Sequence, residues 1–156
     1  MLKKIVKVIV IVLAVGFVII QFIRPDRNNP PIVQAETLEA STVVPPDVAM
    51  VLSRSCADCH TNKTTFPWYS NIAPFSWVLM DHVNEGREHL NLSVWNTYDT
   101  RRKLKRLEEI CEQVESGEMP LPSYLWIHYD AAMKPGEAEM ICSWVKAERS
   151  KIEAAQ

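Results

Sequence analysis

The pattern of apolar and polar positions divides the chain into an N-terminal apolar run and a longer region with helical periodicity. Residues 5–23 are apolar apart from Lys7 and Gln21. A helix over this run would be about 28 Å long, close to the hydrocarbon thickness of a bilayer. We therefore expect a transmembrane anchor at residues 1–24. A cleaved signal peptide is the alternative, because the residues before the run are basic.

The region after the apolar run begins with a proline-rich segment and continues as amphipathic stretches. Residues 25–45 hold four of the ten prolines, which predicts a semi-extended tether. No convincing alternating strand appears beyond it, so we expect residues 46–156 to form one all-α domain. The predicted helices run from Pro46 to about Cys56, from Pro74 onward with Gly86 as an interruption, over Thr100–Ser116 with Gly117 as its stop, and over Pro135–Lys151.

Charge is distributed unevenly along the chain. Residues 28–156 contain 12 basic and 18 acidic groups, a net charge of about −6. This balance argues against a nucleic-acid partner. Five basic residues nevertheless crowd the start of the third domain helix, where we expect a solvated face, with a docking patch for an acidic partner or anionic lipid as the alternative. They are Arg101, Arg102, Lys103, Lys105 and Arg106.

The segment Cys56–His60 has the C-x-x-C-H spacing of a covalent haem attachment site. Two thiols can add across the two vinyl groups of a porphyrin, and the histidine can supply an imidazole nitrogen to the iron. On a helix, the spacing puts Cys56, Cys59 and His60 on one face. A thioredoxin-like pair would have no following histidine, and a zinc site would need a second ligand pair, which the two remaining cysteines are too isolated to form.

An iron bound by His60 alone would be five-coordinate, and the sequence offers Met119 as a sixth ligand. A thioether is a soft iron ligand, and His/Met ligation raises the reduction potential. Pro120 follows Met119 and stiffens the loop that carries it. Ordinary core packing of Met119 is the alternative. The main rival ligand is His82, which lies on the apolar face of its predicted helix.

The order of these motifs resembles a known family. A helix ending in C-x-x-C-H, a Met-Pro loop about sixty residues later and a C-terminal helix resemble a small class I cytochrome c. Residues 45–148 are more closely similar to the haem-binding domain family of short membrane-anchored bacterial c-type proteins. The matching segments are Ser55–His60, Pro67–Tyr69, His82–Arg87, Glu118–Pro120 and Tyr124–His128. The resemblance implies a cytochrome c-like helical fold, one covalent haem c per chain and electron transfer.

Three further residues are candidates for the surroundings of the haem. Pro67 resembles the proline of cytochromes c whose carbonyl accepts from the proximal imidazole N–H. Trp68 is expected to line the haem or to build the core. Arg87 can pair with a haem propionate, since guanidinium matches a carboxylate bidentately, or lie solvated at the surface. Cys111 and Cys142, on core faces of two helices, either form a disulfide or pack as small apolar residues.

These observations favour a membrane-anchored electron carrier that is not an enzyme. We expect one span in the cytoplasmic membrane and the haem domain in the periplasm, because the resemblance implies haem attachment outside the cytoplasm. The expected partners are the membrane and a redox protein, with no small-molecule substrate. The alternatives are a haem-based ligand sensor or peroxidase, which needs a labile sixth ligand, and a binding module whose haem only reports on a partner.

Overall fold

The computed structural model describes residues 1–155, and within them every regular element is helical. The α-helices are α1 (Leu2–Ile20), α2 (Leu38–Ser41), α3 (Pro46–Ser55), α4 (Ala57–His60), α5 (Phe75–His89), α6 (Thr100–Ser116), α7 (Pro122–Leu125) and α8 (Glu137–Ala154). Short 3₁₀ turns cover Gln34–Glu36, Trp68–Asn71, Leu92–Thr97 and Tyr129–Ala131. The expected all-helical domain is therefore present, and its longer helices lie near their predicted positions.

The N-terminal helix differs from the expectation. No helix in residues 1–155 is long and apolar enough to cross a membrane. Helix α1 carries Lys3, Lys4 and Lys7 in its first two turns and ends at Ile20, so its uninterrupted apolar part is roughly 20 Å long, against about 30 Å of hydrocarbon. This finding contradicts the predicted transmembrane helix and the single-pass, periplasm-facing localisation that rests on it.

The chain after α1 lies against the helical domain. The side-chain amide of Gln21 donates to the carbonyl of Ala73 and accepts from its N–H, at 3.1 and 2.9 Å. Farther along, Thr37 and Leu38 are buried, and the Asn96 amide donates to the Ala35 carbonyl at 2.9 Å. Much of the segment predicted as a tether therefore makes polar and apolar contacts with the domain.

The larger apolar core lies between α3, α6 and α8. Its fully buried members include Val51, Leu107 and Ile141. Helices α6 and α8 run antiparallel, because Cys111 pairs with Cys142 whereas Glu108, earlier in α6, meets Arg149, later in α8. The first of these pairs is a disulfide with a Cα–Cα distance of 4.9 Å, so the open question about these two cysteines is answered in favour of a bond.

A smaller apolar core joins α5 to the turn at Trp68–Asn71. Its buried members are Tyr69, Leu79, Met80 and Val83. Helix α5 continues through Gly86 instead of stopping there. A Cβ at position 86 would lie 2.8 Å from the carbonyl oxygen of Cys59, so the glycine allows α5 to pack directly on the C-x-x-C-H segment.

Candidate functional site

A cavity of about 560 Å³ lies between α5 and α6, within the size range of cofactor sites. Its walls come from α3, α4, α5, α6, the chain that follows α6, and α8. Five of the residues singled out from the sequence line it together: Cys56, Cys59, His60, His82 and Met119. The fold thus collects the motif and both candidate sixth ligands around one space.

His60 is oriented by the main chain of α5. Its Nδ1 lies 3.0 Å from the carbonyl oxygens of both Gly86 and Leu90. Carbonyls only accept hydrogen bonds, so the proton of the neutral ring is on Nδ1 and the lone pair is on Nε2. Burial lowers the pKa of His60, against the opposing effect of these two hydrogen bonds. The result is a neutral imidazole with a fixed tautomer, the form in which histidine binds a metal.

The two thiols of the motif lie in the same lining. Helix α4 begins directly after Cys56, whose carbonyl accepts from the N–H of Cys59 and of His60 at 3.3 and 3.0 Å. Neither Cys56 nor Cys59 forms a disulfide within the described chain. Burial raises the pKa of Cys56 to about 12 and that of Cys59 to about 11, so both are thiols at neutral pH. They remain available for a covalent partner that enters the cavity.

Met119 and His82 reach the cavity from different elements. The Met119 N–H donates to the Gln113 carbonyl at 3.1 Å, which folds the chain back over the last turn of α6. His82 lies on α5, the helix whose Gly86 carbonyl accepts from the imidazole of His60. Met119 therefore reaches the cavity from the chain after α6, whereas His82 lies on the same helix that orients His60.

A polar network that the sequence does not reveal joins the motif to α7. The Tyr124 hydroxyl donates to a carboxylate oxygen of Asp58 at 3.0 Å, and burial together with that carboxylate raises the tyrosine pKa. Tyr124 stacks on His128 at 4.3 Å, and a 2.7 Å hydrogen bond joins His128 Nε2 to the Tyr69 hydroxyl. Tyr124 and His128 belong to a recognisable segment, but no spacing in the sequence pairs them with Asp58.

Two residues expected near the haem lie outside the cavity. Pro67 precedes the Trp68–Asn71 turn and does not line the space, and its expected contact with the imidazole N–H is made by the carbonyls of Gly86 and Leu90. Trp68 is 74% exposed, because the turn places it on the outer surface beside Tyr69. The structure does not bring either residue to the other candidates.

Arg87 also lies away from the cavity lining. Its guanidinium donates to the carbonyls of Thr61 and Asn28 at 2.9 and 2.7 Å, and to side-chain oxygens of Asn29 and Thr64 at 2.6 and 2.8 Å. These bonds connect the chain after α1 to the loop after the motif. Arg87 therefore uses four of its five N–H donors to stabilise that junction. The expected pairing with a carboxylate of a cofactor is not what its surroundings provide.

Three buried polar atoms of the lining have no hydrogen-bond partner within residues 1–155: Ser55 Oγ, Arg106 Nε and Trp144 Nε1. These atoms have almost no accessible surface, so they lie behind the lining and do not face the open space. A mostly apolar space with a neutral imidazole, two thiols and a thioether suits a flat apolar ring that carries iron. The residues present fit a haem.

The fold and site define a helical domain built around a C-x-x-C-H cavity. A family model described as "Haem-binding domain" matches residues 15–147. The match spans most of the chain, so the protein belongs to this haem-binding domain family. No curated protein and no solved structure matches the chain.

Proposed function

We propose that the protein is a one-electron carrier with a single c-type haem, bonded to Cys56 and Cys59 and coordinated by His60 and Met119. The observation that carries the proposal is His60, whose Nδ1 is bonded to two main-chain carbonyls so that Nε2 remains for iron. When bound, the haem supplies reversible one-electron exchange at its iron. The protein supplies the ligands, their orientation and an apolar surround.

Covalent attachment follows from the two thiols. The two cysteines would hold the haem by thioether bonds, in which each S–H would add across one vinyl group without consuming an oxidant or reductant. The half-buried positions of Cys56, directly before α4, and of Cys59, within α4, in the same cavity lining support this role. The neutral His60 beside them is ready to bind iron without losing a proton.

Electron transfer is the function that this coordination favours. Met119 would supply a thioether as a second ligand to the iron, and a thioether ligand raises the reduction potential. The apolar lining lowers the local dielectric, which further tunes the potential. A redox protein is the partner that such a site requires, and no small-molecule substrate is needed. A ligand sensor or peroxidase would instead need an open or labile sixth position.

The covalent bond is tested by extraction of the haem. Wild-type protein, produced together with a haem-attachment system, should keep its haem after denaturation and acidic organic extraction. Cys56→Ser combined with Cys59→Ser should release it. Cys111→Ser combined with Cys142→Ser is the control, because it removes the two disulfide-bonded cysteines, which do not line the cavity, and it should retain the haem. Complete release from the wild type would contradict c-type attachment.

The sixth ligand is tested by optical spectra of the oxidised protein. A thioether-to-ferric-iron charge-transfer band should be present in the wild type and disappear in Met119→Ala, which should also bind carbon monoxide readily and have a lower potential. Met133→Ala, a methionine of the larger core, is the control. A wild-type spectrum that lacks this band and is unchanged in Met119→Ala, together with a site that opens in His82→Ala, would indicate bis-histidine ligation. Rapid binding of carbon monoxide by the reduced wild type would favour the sensor or peroxidase.

A further inference from the structure

We propose that Tyr98 is a positioning residue that strengthens the hydrogen bond between His60 and the Leu90 carbonyl and thereby lowers the reduction potential of the iron. The inference rests on the proposed function, because it requires iron bound at Nε2 of His60. Tyr98 does not line the cavity, and no motif in the sequence identifies it. It acts through a single peptide group, the one that joins Leu90 to Asn91.

The Leu90–Asn91 peptide is hydrogen-bonded at both ends. Its carbonyl oxygen lies 3.0 Å from Nδ1 of His60, and its N–H donates to the buried hydroxyl oxygen of Tyr98 at 2.9 Å. A peptide group is conjugated, so an acceptor on the N–H moves electron density towards the oxygen and makes the carbonyl a stronger acceptor. The Tyr98 hydroxyl therefore strengthens the bond that the imidazole donates to Leu90.

The Tyr98 ring is held in place by its neighbours. The side chain is buried, and the ring of Trp95 packs edge-on against it with 5.8 Å between the ring centroids. The guanidinium carbon of Arg102 lies 4.0 Å above the Tyr98 ring centroid, and the same guanidinium donates to the Glu88 carbonyl in the last turn of α5 at 3.3 Å. These contacts fix the hydroxyl relative to the end of the helix that orients His60.

A second set of buried hydrogen bonds keeps the same peptide beside the C-x-x-C-H motif. The Asn91 side-chain amide donates to Oδ1 of Asn62 at 2.8 Å, and the Asn62 N–H donates to Oγ of Ser93 at 3.0 Å. The Ser93 N–H in turn donates to Oδ1 of Asn91 at 3.0 Å. Asn62 follows His60 by two residues, so these bonds hold the peptide in position independently of Tyr98. Loss of the tyrosine hydroxyl therefore removes the polarisation of the peptide and leaves its backbone anchored.

The direction of the effect follows from the chemistry of the imidazole. A stronger acceptor at Nδ1–H gives the ring more imidazolate character and makes Nε2 a stronger donor, which favours ferric iron. Loss of the Tyr98 hydroxyl should therefore raise the reduction potential. The Gly86 carbonyl also accepts from Nδ1 and does not depend on Tyr98, so the expected change is modest.

The test measures the reduction potential and the NMR spectrum of haem-loaded protein. Tyr98→Phe should raise the equilibrium constant for reduction about threefold, which is about 28 mV for one electron. In reduced, ¹⁵N-labelled protein, the His60 Nδ1–H resonance should move upfield and exchange faster with solvent, because its hydrogen bond is weaker. The controls are Thr97→Val, which removes a hydroxyl that donates to the Val94 carbonyl, and Ile141→Val, which destabilises the larger core. Both should keep the wild-type potential and resonance.

The outcomes separate an electronic role of Tyr98 from a purely structural one. A wild-type or lower potential in Tyr98→Phe would overturn the proposal, and so would an equal change in Ile141→Val, because lost stability would then explain both. Wild-type protein that carries no haem would overturn the proposed function instead, so the two failures are distinguishable.

A second replacement decides the question if Tyr98→Phe does not accumulate. The hydroxyl of 3-fluorotyrosine is a weaker acceptor on a ring of nearly the same shape. Its incorporation at position 98 alone should move the His60 Nδ1–H resonance upfield by less than the loss of the hydroxyl would. An unchanged resonance would overturn the proposal.

Discussion

The α6–α8 side of the cavity combines a continuous apolar core with a disulfide, whereas the α4–α5 side combines a small apolar cluster with polar contacts to main-chain atoms. On the first side, Leu107 and Ile141 are fully buried and Cys111 is bonded to Cys142. On the second, the Gly86 carbonyl of α5 accepts from His60, and the absence of a side chain at Gly86 lets α5 pack against Cys59. The first side is built for stability and the second for orientation of a ligand.

The four cysteines differ between the two sides in the same way, because one pair is a disulfide and the other pair is free. The pair in α6 and α8 is oxidised and lies away from the cavity lining, so it contributes to the fold alone. The pair at the motif is reduced and lines the cavity. Removing either pair should therefore have separable consequences, one for unfolding and the other for the haem.

The largest expected effect on stability comes from the disulfide. Cys111→Ala combined with Cys142→Ala opens a loop with a sequence separation of 31, and the chain-entropy model predicts a loss of about 3–4 kcal/mol in the free energy of unfolding. Urea unfolding followed by far-ultraviolet circular dichroism measures it. Haem retention should remain at the wild-type level. Loss of covalent haem in this variant would contradict the contrast between the two sides, because the α6–α8 side would then also be needed for haem attachment.

A smaller effect is expected at the contact between α5 and the motif. Gly86→Ala forces a Cβ to within 2.8 Å of the Cys59 carbonyl oxygen, and overpacking of this kind costs about 1–3 kcal/mol. The shift should also displace the carbonyl that accepts from His60, so the Soret spectrum and the potential should change together with stability. Gly136→Ala, a glycine with positive φ and open space around its Cβ position, is the control for stability loss without a spectral change. A Gly86→Ala spectrum equal to that of the wild type would show that the contact between α5 and the motif does not orient His60.

The smallest expected effect is electrostatic and pH-dependent. Arg54 donates to both carboxylate oxygens of Glu137, at 3.0 and 2.5 Å, and this pairing lowers the pKa of Glu137. The pair therefore stabilises the fold above the unfolded pKa of about 4.3, and the stabilisation is lost as the pH falls through the lower folded value. Glu137→Gln should cost about 1 kcal/mol at pH 7, and its difference from the wild type should shrink below about pH 4.

The control for this pair is Glu139→Gln, an exposed acid in the same turn of α8. It should leave the free energy of unfolding close to the wild-type value across the same pH range. A difference that stays constant down to pH 2 in Glu137→Gln would show that packing, not charge, accounts for the loss. The contribution of α3 to the stable side would then be apolar only.

How well the sequence predicts each element depends on whether its determinants are local. Helix α6 has the predicted bounds because its signals are adjacent to it: an Asp99 carboxylate oxygen accepts from the Arg102 N–H at 2.7 Å, and Gly117 adopts a φ of 75°. The motif at Cys56–His60 is likewise contiguous. Both could be predicted from the residues alone.

Features that depend on distant contacts could not be predicted in this way. Gly86 is unfavourable in a helix by propensity and so suggests close packing, but only the fold shows that α5 continues through it and that it packs against Cys59, more than twenty residues away. The sequence offers a haem propionate or solvent as the partner of Arg87, and only the fold shows that its guanidinium donates to four acceptors outside the cavity lining. The apolar run failed as a membrane span because its lysines shorten the apolar part of α1.

The bond between His60 and the end of α5 has a consequence for how the protein can vary. A substitution cannot remove a main-chain carbonyl, so the two hydrogen bonds of the His60 imidazole depend on where the C-terminal end of α5 lies. The negative pole of the helix dipole is at this end and strengthens both acceptors. The Gly86 carbonyl also accepts from the Leu90 N–H at 2.9 Å, so the same oxygen ends the last turn of α5 and orients the His60 ring. Substitutions elsewhere in the lining can therefore change the cavity and leave the hydrogen bonds of His60 unchanged, as long as position 86 carries no side chain.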